Sequence, residues 1–304
     1  MKINVVVGED DFSEQIAKQI NAEFIKIKNI TFLDSEVKLT LETEEGIKDN
    51  KILVVFRSNR FAPNINESII KIFFITSLLK EIGAKEINLL APYMFYSRQD
   101  KQFLSGEIKS FSNMANLYES LGFSNIFTIN SHLYGKAPDL QSFFKKIKIN
   151  DLSPAKIFSE YLKTKDLKDA IIIGPGKGAD RLIEELANLL HTGFEGLEKE
   201  RDHKTQEIVM KPPKEDLKNR DVIIYDDVAA SGGTIIPAFE LAKQHNPKRI
   251  FIVLPHLITK GGIERIYDLG ADEVITTDSF NSEESKKFTE LTLISLISEY
   301  VKNM

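Results

Sequence analysis

Residues Val222–Ile236 read VIIYDDVAASGGTII. An apolar run ends in two acids, and a loop of small residues then leads through Gly232–Thr234 into a segment with helical spacing. Small residues let backbone amides close on an anion, Ser231 and Thr234 add hydroxyl donors, and the start of a helix carries partial positive charge. The stretch therefore predicts a phosphate cradle at the carboxyl end of a strand, where open α/β sheets bind ligands.

The two acids, Asp226 and Asp227, carry the same charge sign as a phosphate and cannot be intended for it. Carboxylates accept hydrogen bonds, so the pair suits two hydroxyls of a sugar attached to that phosphate. An acidic turn that only caps a helix is the alternative reading. The combination of strand, acids, small-residue loop and helix favours a sugar-phosphate site.

Working outward, the same alternation of short apolar runs and helical segments fills the chain. Continuous Val, Ile and Leu runs are typical of strands covered by helices on both faces. The strand candidates are INVVV, ILVVF, INLL, IFTI, AIII, DVIIY, RIFIVL and EVITT, and the helix candidates are about 66–82, 110–121, 177–190, 233–245 and 261–269. The pattern predicts an α/β protein with mainly parallel sheets and right-handed crossovers.

Length divides this pattern into two domains. The 304 residues correspond to two domains of about 150 residues each, and turn residues at Asn150–Pro154 mark the junction. We expect an N-terminal domain at 1–150 and a C-terminal domain at 151–304, with the last segment a candidate for packing back on the N-terminal domain. The halves are similar in architecture, with no evident repeat of residues.

Composition excludes several classes of protein. The chain has no cysteine, which excludes disulfides, thiolate metal sites, iron–sulfur clusters and a cysteine nucleophile, and fits a reducing cytoplasm. No apolar run approaches the roughly 20 residues of a membrane span. A net charge of −5 argues against an extended nucleic-acid footprint. We therefore expect neither a membrane nor a nucleic-acid partner, and any anion site must be local.

Several segments resemble one family. DDVAASGGT at Asp226–Thr234 is similar to the ribose 5-phosphate loop shared by type I phosphoribosyltransferases and ribose-phosphate pyrophosphokinases. PYMFYSRQDKQFLSGE at Pro92–Glu107 resembles a pyrophosphokinase segment that the transferases lack. Three further segments resemble parts of the same family. Its mobile catalytic loop resembles Glu198–Glu207, its PDxG segment resembles Ile172–Ala179, and its adenine-contacting stretch resembles Thr31–Glu36. The chain is thus identified as a member of the ribose-phosphate pyrophosphokinases, archaeal-like, with two tandem phosphoribosyltransferase-like domains.

The resemblance implies ATP contacts in the N-terminal half. Phe32 would stack on adenine and two acids would accept from its exocyclic amine, while an arginine fork suits phosphate oxygens. The role of Asp100 stays open between stabilising its loop and the nucleotide site. The ATP-binding candidates are Phe32, Asp34, Glu36, Arg98, Gln99 and Asp100.

The resemblance also implies Mg²⁺ as cofactor and His132 as a residue that is either associated with magnesium or in contact with phosphate. Because Mg²⁺ prefers oxygen ligands, a link through water is more natural than a direct imidazole bond. A structural histidine is the alternative.

In the C-terminal half, the resemblance implies Lys199 and Arg201 as catalytic residues. Cations on the family's closing loop would stabilise charge that develops on the transferred group. A plain charged surface stretch is the alternative there. The ribose 5-phosphate candidates are Asp226, Asp227, Ala229, Ala230, Ser231, Gly232, Gly233 and Thr234.

The implied activity is transfer of the pyrophosphoryl group of ATP to ribose 5-phosphate by a cytoplasmic homo-oligomer, a dimer or larger. The chain departs from the family pattern at Gly176, where Asp is usual, at Ala230, where Asp or Ser is usual, and at Asn130, where Asp is common. A catalytically weakened regulatory or binding homologue, associated with an active one, is therefore a second hypothesis. A phosphoribosyltransferase is a third, disfavoured because one such domain needs only half this chain.

Overall fold

The computed structural model describes residues 2–60, 63–176, 180–201, 208–258, 260–281 and 288–303. The chain divides into two units. Unit 1 comprises Met1–Ser58, Asn64–Leu152 and Leu293–Met304, and unit 2 comprises Asn59–Pro63 and Ser153–Thr292. Two short segments therefore belong to the unit built mainly from the other half of the chain.

Unit 1 contains a seven-stranded sheet with the order β3-β2-β1-β4-β5-β6-β7. All neighbouring strands are parallel except the edge pair β2–β3. That edge ribbon is absent from the strand candidates because its residues are largely exposed and polar. The strands are β1 Val5–Gly8, β2 Glu23–Thr31, β3 Val37–Leu41, β4 Lys51–Val55, β5 Glu86–Leu90, β6 Asn125–Ile129 and β7 Lys148–Leu152.

Helices cover this sheet because its central strands are apolar on both faces. Val5 and Val7 belong to the core cluster that holds Ile72 of α2 and Tyr118 of α3. Val6 points to the opposite face and is equally buried. The helices are α1 Asp11–Ile20, α2 Ile65–Ile82, α3 Ser110–Leu121 and the C-terminal α8 Ile294–Lys302, which packs against α1; a 3₁₀ helix covers Leu140–Phe143.

Unit 2 contains a six-stranded parallel sheet with the order β17-β16-β14-β12-β8-β9. Two small ribbons accompany it, antiparallel β10–β11 and parallel β13–β15. The strands are β8 Ile171–Gly174, β9 Gly193–Gly196, β10 Lys199–Arg201, β11 Ile208–Met210, β12 Asp221–Tyr225, β13 Val228–Ala229, β14 Arg249–Leu254, β15 His256–Leu257, β16 Glu273–Thr277 and β17 Thr289–Leu291.

Alternate residues of these strands bury into opposite layers. Ile172 and Ile223 join the cluster formed with α4 and α5, while Ile171 and Ile224 join the cluster formed with α6. Continuous apolar strands are thus explained by helices on both sides. The helices are α4 Ala155–Lys163, α5 Asp180–Leu190, α6 Ile235–Gln244 and α7 Lys260–Tyr267; residues 177–179, at the start of one helix candidate, lie outside the described residues.

The two sheets share strand order and register, apart from the additional edge strand β3 of unit 1. The matching segments are short, such as VVVG in β1 and IIIG in β8, which is why the sequence shows no obvious repeat. The matching partners are Val5↔Ile52 with Ile171↔Val222, Lys51↔Glu86 with Asp221↔Arg249, Leu90↔Phe127 with Val253↔Ile275, and Ile129↔Leu152 with Thr277↔Leu291.

In the described part of the chain, no helix combines the length and the apolar composition that crossing a membrane would require.

Candidate functional site

The loop after β12 begins with the two acids at the carboxyl edge of the unit 2 sheet. Asp226 accepts hydrogen bonds from the amide of Asp227 (3.0 Å) and from Oγ1 of Thr234 (3.0 Å). Asp227 accepts from the amide of Val228 (2.8 Å). Both carboxylates are half-buried, so they shape the loop while part of each remains accessible to a ligand.

Glycine is required where this loop turns into α6. Gly232 has φ +78°, and a Cβ there would lie 2.7 Å from Cδ1 of Ile236. Thr234 is the N-cap of α6, yet its side chain makes no capping hydrogen bond and donates to Asp226 instead. An N-terminus without a side-chain cap suits an external anion.

The middle of the loop is held by a second short ribbon. Ala229 is buried in β13, which pairs with β15, whereas Ser231 and Gly233 are exposed and Ala230 is half-buried. Nη1 of Arg265 in α7 donates to the carbonyl oxygen of Ser231 (3.2 Å). Sequence reasoning missed Arg265 because it lies 34 positions away, in another helix.

The catalytic candidates lie in the other ribbon of unit 2. Lys199 and Arg201 begin and end β10, opposite Met210 and Ile208 of β11. Residues 202–207, the rest of the stretch that resembles the mobile loop, lie outside the described residues. Gly176 follows β8, the strand next to β12.

In unit 1, three ATP candidates occupy the loop after β5. Arg98 and Gln99 are exposed and Asp100 is half-buried. The backbone of Gln99 is fixed on both sides, since its amide donates to Tyr96 and its carbonyl accepts from Phe111. The loop thus presents the Arg98 side chain to solvent from an anchored backbone.

His132 lies in the loop after β6, the neighbouring strand, so the two loops share the carboxyl edge of the sheet. Its Nε2 lies 3.1 Å from Nζ of Lys136. An ammonium donates but cannot accept, so Nε2 is the acceptor of this contact. Two basic groups at hydrogen-bond distance fit an anion better than a divalent cation.

A partly buried carboxyl anchors the His132 loop. Asp151 of β7 accepts from the amide (3.0 Å) and hydroxyl (2.6 Å) of Ser131. Burial raises the pKa of Asp151 to about 6, against the lowering effect of the Ser131 hydrogen bonds. Asp151 was not a candidate from sequence, because nothing local distinguishes it from a surface acid on an edge strand.

The remaining ATP candidates form the tip of the β2–β3 ribbon. Phe32 and Glu36 close the turn through a backbone hydrogen bond of 2.8 Å, and Oδ1 of Asp34 accepts from the amide of Glu36 (3.0 Å). Phe32 is 49% exposed. These residues therefore form a tight turn at the tip of the ribbon.

No cluster of three or more His, Asp or Glu side chains suited to a metal ion occurs among the described residues. Mg²⁺ commonly uses one or two carboxylates together with substrate phosphates, and not an all-protein cage. The half-buried pair Asp226 and Asp227 fits that mode, whereas His132 beside Lys136 does not.

The fold and the loop after β12 define a protein with two tandem phosphoribosyltransferase-type domains. Two family models match it, the N-terminal domain of ribose phosphate pyrophosphokinase at residues 1–122 and the phosphoribosyl transferase domain at residues 148–286. The chain belongs to the ribose-phosphate pyrophosphokinase family.

Individual proteins give the same result. The chain is 30% identical over 305 residues to a ribose-phosphate pyrophosphokinase of Bacillus cereus, covering 99% of this chain and 93% of the relative. It is 29% identical over 283 residues to that of Saccharolobus solfataricus, covering 91% and 93%. The crystal structure of phosphoribosylpyrophosphate synthetase from Mycobacterium smegmatis matches the fold with a TM-score of 0.84 over 98% of each chain, at 22% identity.

Proposed function

We propose that this chain transfers the β,γ-pyrophosphoryl group of ATP to the C1 hydroxyl of ribose 5-phosphate. The C1 oxygen attacks the β-phosphorus, the bond from that phosphorus to the α-phosphate oxygen breaks, and the hydroxyl proton is released. The products are phosphoribosyl pyrophosphate and AMP. The observation that carries the proposal is the loop after β12, in which two half-buried acids lie next to a helix N-terminus without a side-chain cap.

In this proposal, one part of the loop binds the phosphate of ribose 5-phosphate and another part binds its sugar ring. The backbone and hydroxyls of Ala229–Thr234 bind the 5-phosphate, as expected of amides at a helix start. Asp226 and Asp227 accept from ribose hydroxyls, which orients C1 for in-line attack. Holding both reactants in this way removes much of the entropic barrier.

The ATP groups of the proposal come from unit 1. Phe32, Asp34 and Glu36 bind adenine at the ribbon tip, where Phe32 exposes half of its ring. Arg98 and Gln99 bind the phosphates, and Asp100 stabilises their loop. The contact between His132 and Lys136 supports a phosphate-binding role for His132.

Lys199 and Arg201 act in the transition state. Negative charge grows on the non-bridging oxygens during the transfer, and positioned cations stabilise it. Mg²⁺ would neutralise the polyphosphate when bound, with Asp226 and Asp227 as the carboxylates that would hold it.

We also propose that the chain forms a homo-oligomer. Support comes from large apolar side chains that unit 1 exposes, since such surface commonly marks an interface. The α2 members are Ile70 (46% exposed), Phe73 (40%) and Phe74 (45%). Sedimentation velocity on the wild type and on Phe73→Glu tests this, and a monomeric wild type would contradict it. The cytoplasmic location stays a prediction.

The activity is tested by AMP release from ATP, with and without ribose 5-phosphate. We expect AMP only when both substrates and Mg²⁺ are present, and phosphoribosyl pyrophosphate in equal amount. AMP formation that ignores ribose 5-phosphate would contradict the proposal, and so would the absence of any turnover. An inactive wild type that associates specifically with an active homologue would favour the regulatory hypothesis.

A further inference from the structure

Arg60 is the largest fully buried side chain of the described residues, with 0% exposure. It follows β4 in sequence, yet Asn59 and Arg60 belong to unit 2. Desolvating a guanidinium costs several kcal/mol unless hydrogen bonds replace its water. A buried arginine at this position therefore requires a specific set of partners, which identifies what it holds together.

Among the described residues, the side-chain partners of Arg60 include groups on three separate segments of unit 2. Nη1 donates to the carbonyl oxygen of Leu257 (2.8 Å), and Nη2 donates to the carbonyl oxygen of Thr277 (2.8 Å) and to Oε2 of Glu290 (2.6 Å). The guanidinium also lies 4.9 Å from the ring centroid of Phe288. One side chain thus joins β15, the end of β16 and β17.

The first of these segments, β15, is hydrogen-bonded to the loop at 226–234, called the ribose loop below. β15 pairs with β13, the amide of His256 donates to the carbonyl of Asp227 (3.2 Å), and the amide of Ile258 donates to that of Ala229 (2.9 Å). Leu257, which Arg60 holds, lies between these two donors. The hydrogen bond from Arg60 to the Leu257 carbonyl therefore holds in place β15, the strand with which the ribose loop pairs.

The second segment leads to the same strand. Thr277 gives its carbonyl to Arg60 and donates its hydroxyl to the carbonyl of Pro255 (2.7 Å). Ser279 also donates to Pro255 (3.1 Å) and lies 2.9 Å from Nδ1 of the buried His256. Pro255 directly precedes β15 and His256 is its first residue. The contacts of Arg60 with Leu257 and with Thr277 therefore both stabilise the strand that is hydrogen-bonded to Asp227 and Ala229.

We propose that Arg60 is a positioning residue for ribose 5-phosphate, acting through β15 and β13 on the loop at 226–234. The inference rests on the proposed function, because it takes that loop as the sugar-phosphate site. Arg60 itself touches no substrate, being fully buried. Its role differs from that of a simple stabilising ion pair, whose loss would lower stability and leave substrate affinities alone.

Unit 2 offers a matched control at the opposite, amino edge of the same sheet. Arg249 donates to both carboxylate oxygens of Asp221 (2.9 and 2.6 Å) and to the carbonyls of Lys165 and Asp166 (3.1 Å each). Like Arg60 it combines one acid with two carbonyls. No part of the ribose loop is among these partners.

The test compares Arg60→Met/Glu290→Gln with Arg249→Met/Asp221→Asn, so that neither double variant keeps an uncompensated charge. Steady-state kinetics gives the KM for each substrate, and urea unfolding gives stability. We expect the Arg60 variant to raise the KM for ribose 5-phosphate by about 10- to 100-fold, the range expected of misplaced binding groups. The KM for ATP should rise clearly less, because the loop contacts ATP only through Mg²⁺. The Arg249 variant should lose stability with both KM values unchanged.

An unchanged KM for ribose 5-phosphate in the Arg60 variant overturns the inference, as does an equal rise for both substrates. If that variant does not fold, Arg60→Lys serves in its place, because a compact ammonium keeps Glu290 but loses the planar fork, and the same KM criterion applies. A wild type that shows no ribose 5-phosphate-dependent turnover would instead contradict the proposed function, so the two failures are distinguishable.

Discussion

The loops after β4 and after β12 occupy the same position in the two units, yet their chemistry differs. The amide of Phe56 donates to Leu90 (3.0 Å) and the amide of Asp226 donates to Val253 (3.3 Å), which are matching residues of neighbouring strands. By this register, Arg57 of unit 1 corresponds to Asp227 of unit 2. Each follows its strand at the carboxyl edge of a parallel sheet.

In unit 1 this position is filled from within the protein. Nε and Nη2 of Arg57 donate to Oδ2 of Asp10 (2.8 and 2.5 Å), and the guanidinium lies 4.0 Å from the ring centroid of Phe12. By the matching register of β1 and β8, the unit 2 residue that corresponds to Asp10 of unit 1 is Gly176, which has no side chain. The fold thus supplies the same position twice. In unit 1 the protein's own side chains fill it, whereas in unit 2 it is the position that we propose for the sugar phosphate.

The two ribbons give the largest expected difference between the units. Lys199→Ala, in β10 of unit 2, should lower kcat by about 10²- to 10³-fold, the typical cost of removing one charge-stabilising donor, with smaller changes in either KM. Lys28→Ala in β2 of unit 1 is the matched control, since Lys28 forms only an exposed ion pair with Glu42. Stopped-time AMP assays at saturating substrates measure both, and equal turnover for wild type and Lys199→Ala would remove Lys199 from the mechanism.

Two glycines separate the ribose loop from an ordinary turn of the same unit. Gly232 and Gly270 have φ +78° and +79°, but a Cβ added at Gly232 would crowd Ile236, whereas one added at Gly270 would meet no described atom within 4 Å. Gly270→Ala should cost about 1–2 kcal/mol of stability from its φ alone. Gly232→Ala should cost a further 1–3 kcal/mol or so and weaken ribose 5-phosphate binding at least roughly tenfold.

Denaturant unfolding measures the first effect for both glycine variants, and calorimetry with ribose 5-phosphate measures the second. Equal losses of stability, with affinity retained in both, would show that the close approach of Gly232 to Ile236 has no role in shaping the site.

One acid of each unit, Asp151 in unit 1 and Asp221 in unit 2, should respond to pH in opposite directions. Burial raises the pKa of Asp151 from 3.8 to about 6, so the stabilisation of its neutral form is complete below pH 4 and is lost as the pH rises through 6. For Asp221, burial acts to raise the pKa, but hydrogen bonds from Arg249 and the Lys168 amide outweigh it and lower the pKa. Its contribution is present above pH 4 and is lost on acidification.

Unfolding free energies measured from pH 3 to 7 test this pair. Relative to wild type, the unfolding free energy of Asp151→Asn should rise by on the order of 1–3 kcal/mol between pH 4 and 6. Asp221→Asn should be less stable than wild type above pH 4, and this difference in unfolding free energy should disappear below pH 4. Curves for Asp151→Asn and wild type that stay parallel across this range would contradict the assignment.

Much of the fold could be predicted from sequence because it rests on local patterns. DVIIY, RIFIVL and EVITT match β12, β14 and β16, and the candidate at 110–121 matches α3. The start of α6 was expected at 233 but lies at Ile235, because Gly232 adopts a left-handed φ and Thr234 is the cap. The strand end, loop and helix start at 222–236 could be predicted for the same reason, since they are contiguous, whereas the assignment of this loop to ribose 5-phosphate stays a prediction.

The long-range contacts that hold the loops of the candidate site in place could not be predicted from local patterns. The partners of Arg60 lie 197 to 230 positions away, and Asp151 lies 20 positions from Ser131. Edge ribbon β2–β3 was also missed, because a strand with few buried side chains has no continuous apolar run. Each of these features depends on packing between distant segments, which no local pattern encodes.

Calorimetric titration of ribose 5-phosphate tests most directly the claim that only the loop after β12 binds the sugar phosphate. We expect one site per chain, with affinity lowered at least roughly tenfold in Asp227→Asn, because an amide replaces an acceptor with a mixed donor and acceptor. The affinity for ATP, titrated in the absence of Mg²⁺, should be unchanged. Arg57→Lys, at the matching position of unit 1, should bind like the wild type. Two sites per chain, or equal weakening by Arg57→Lys and Asp227→Asn, would contradict it.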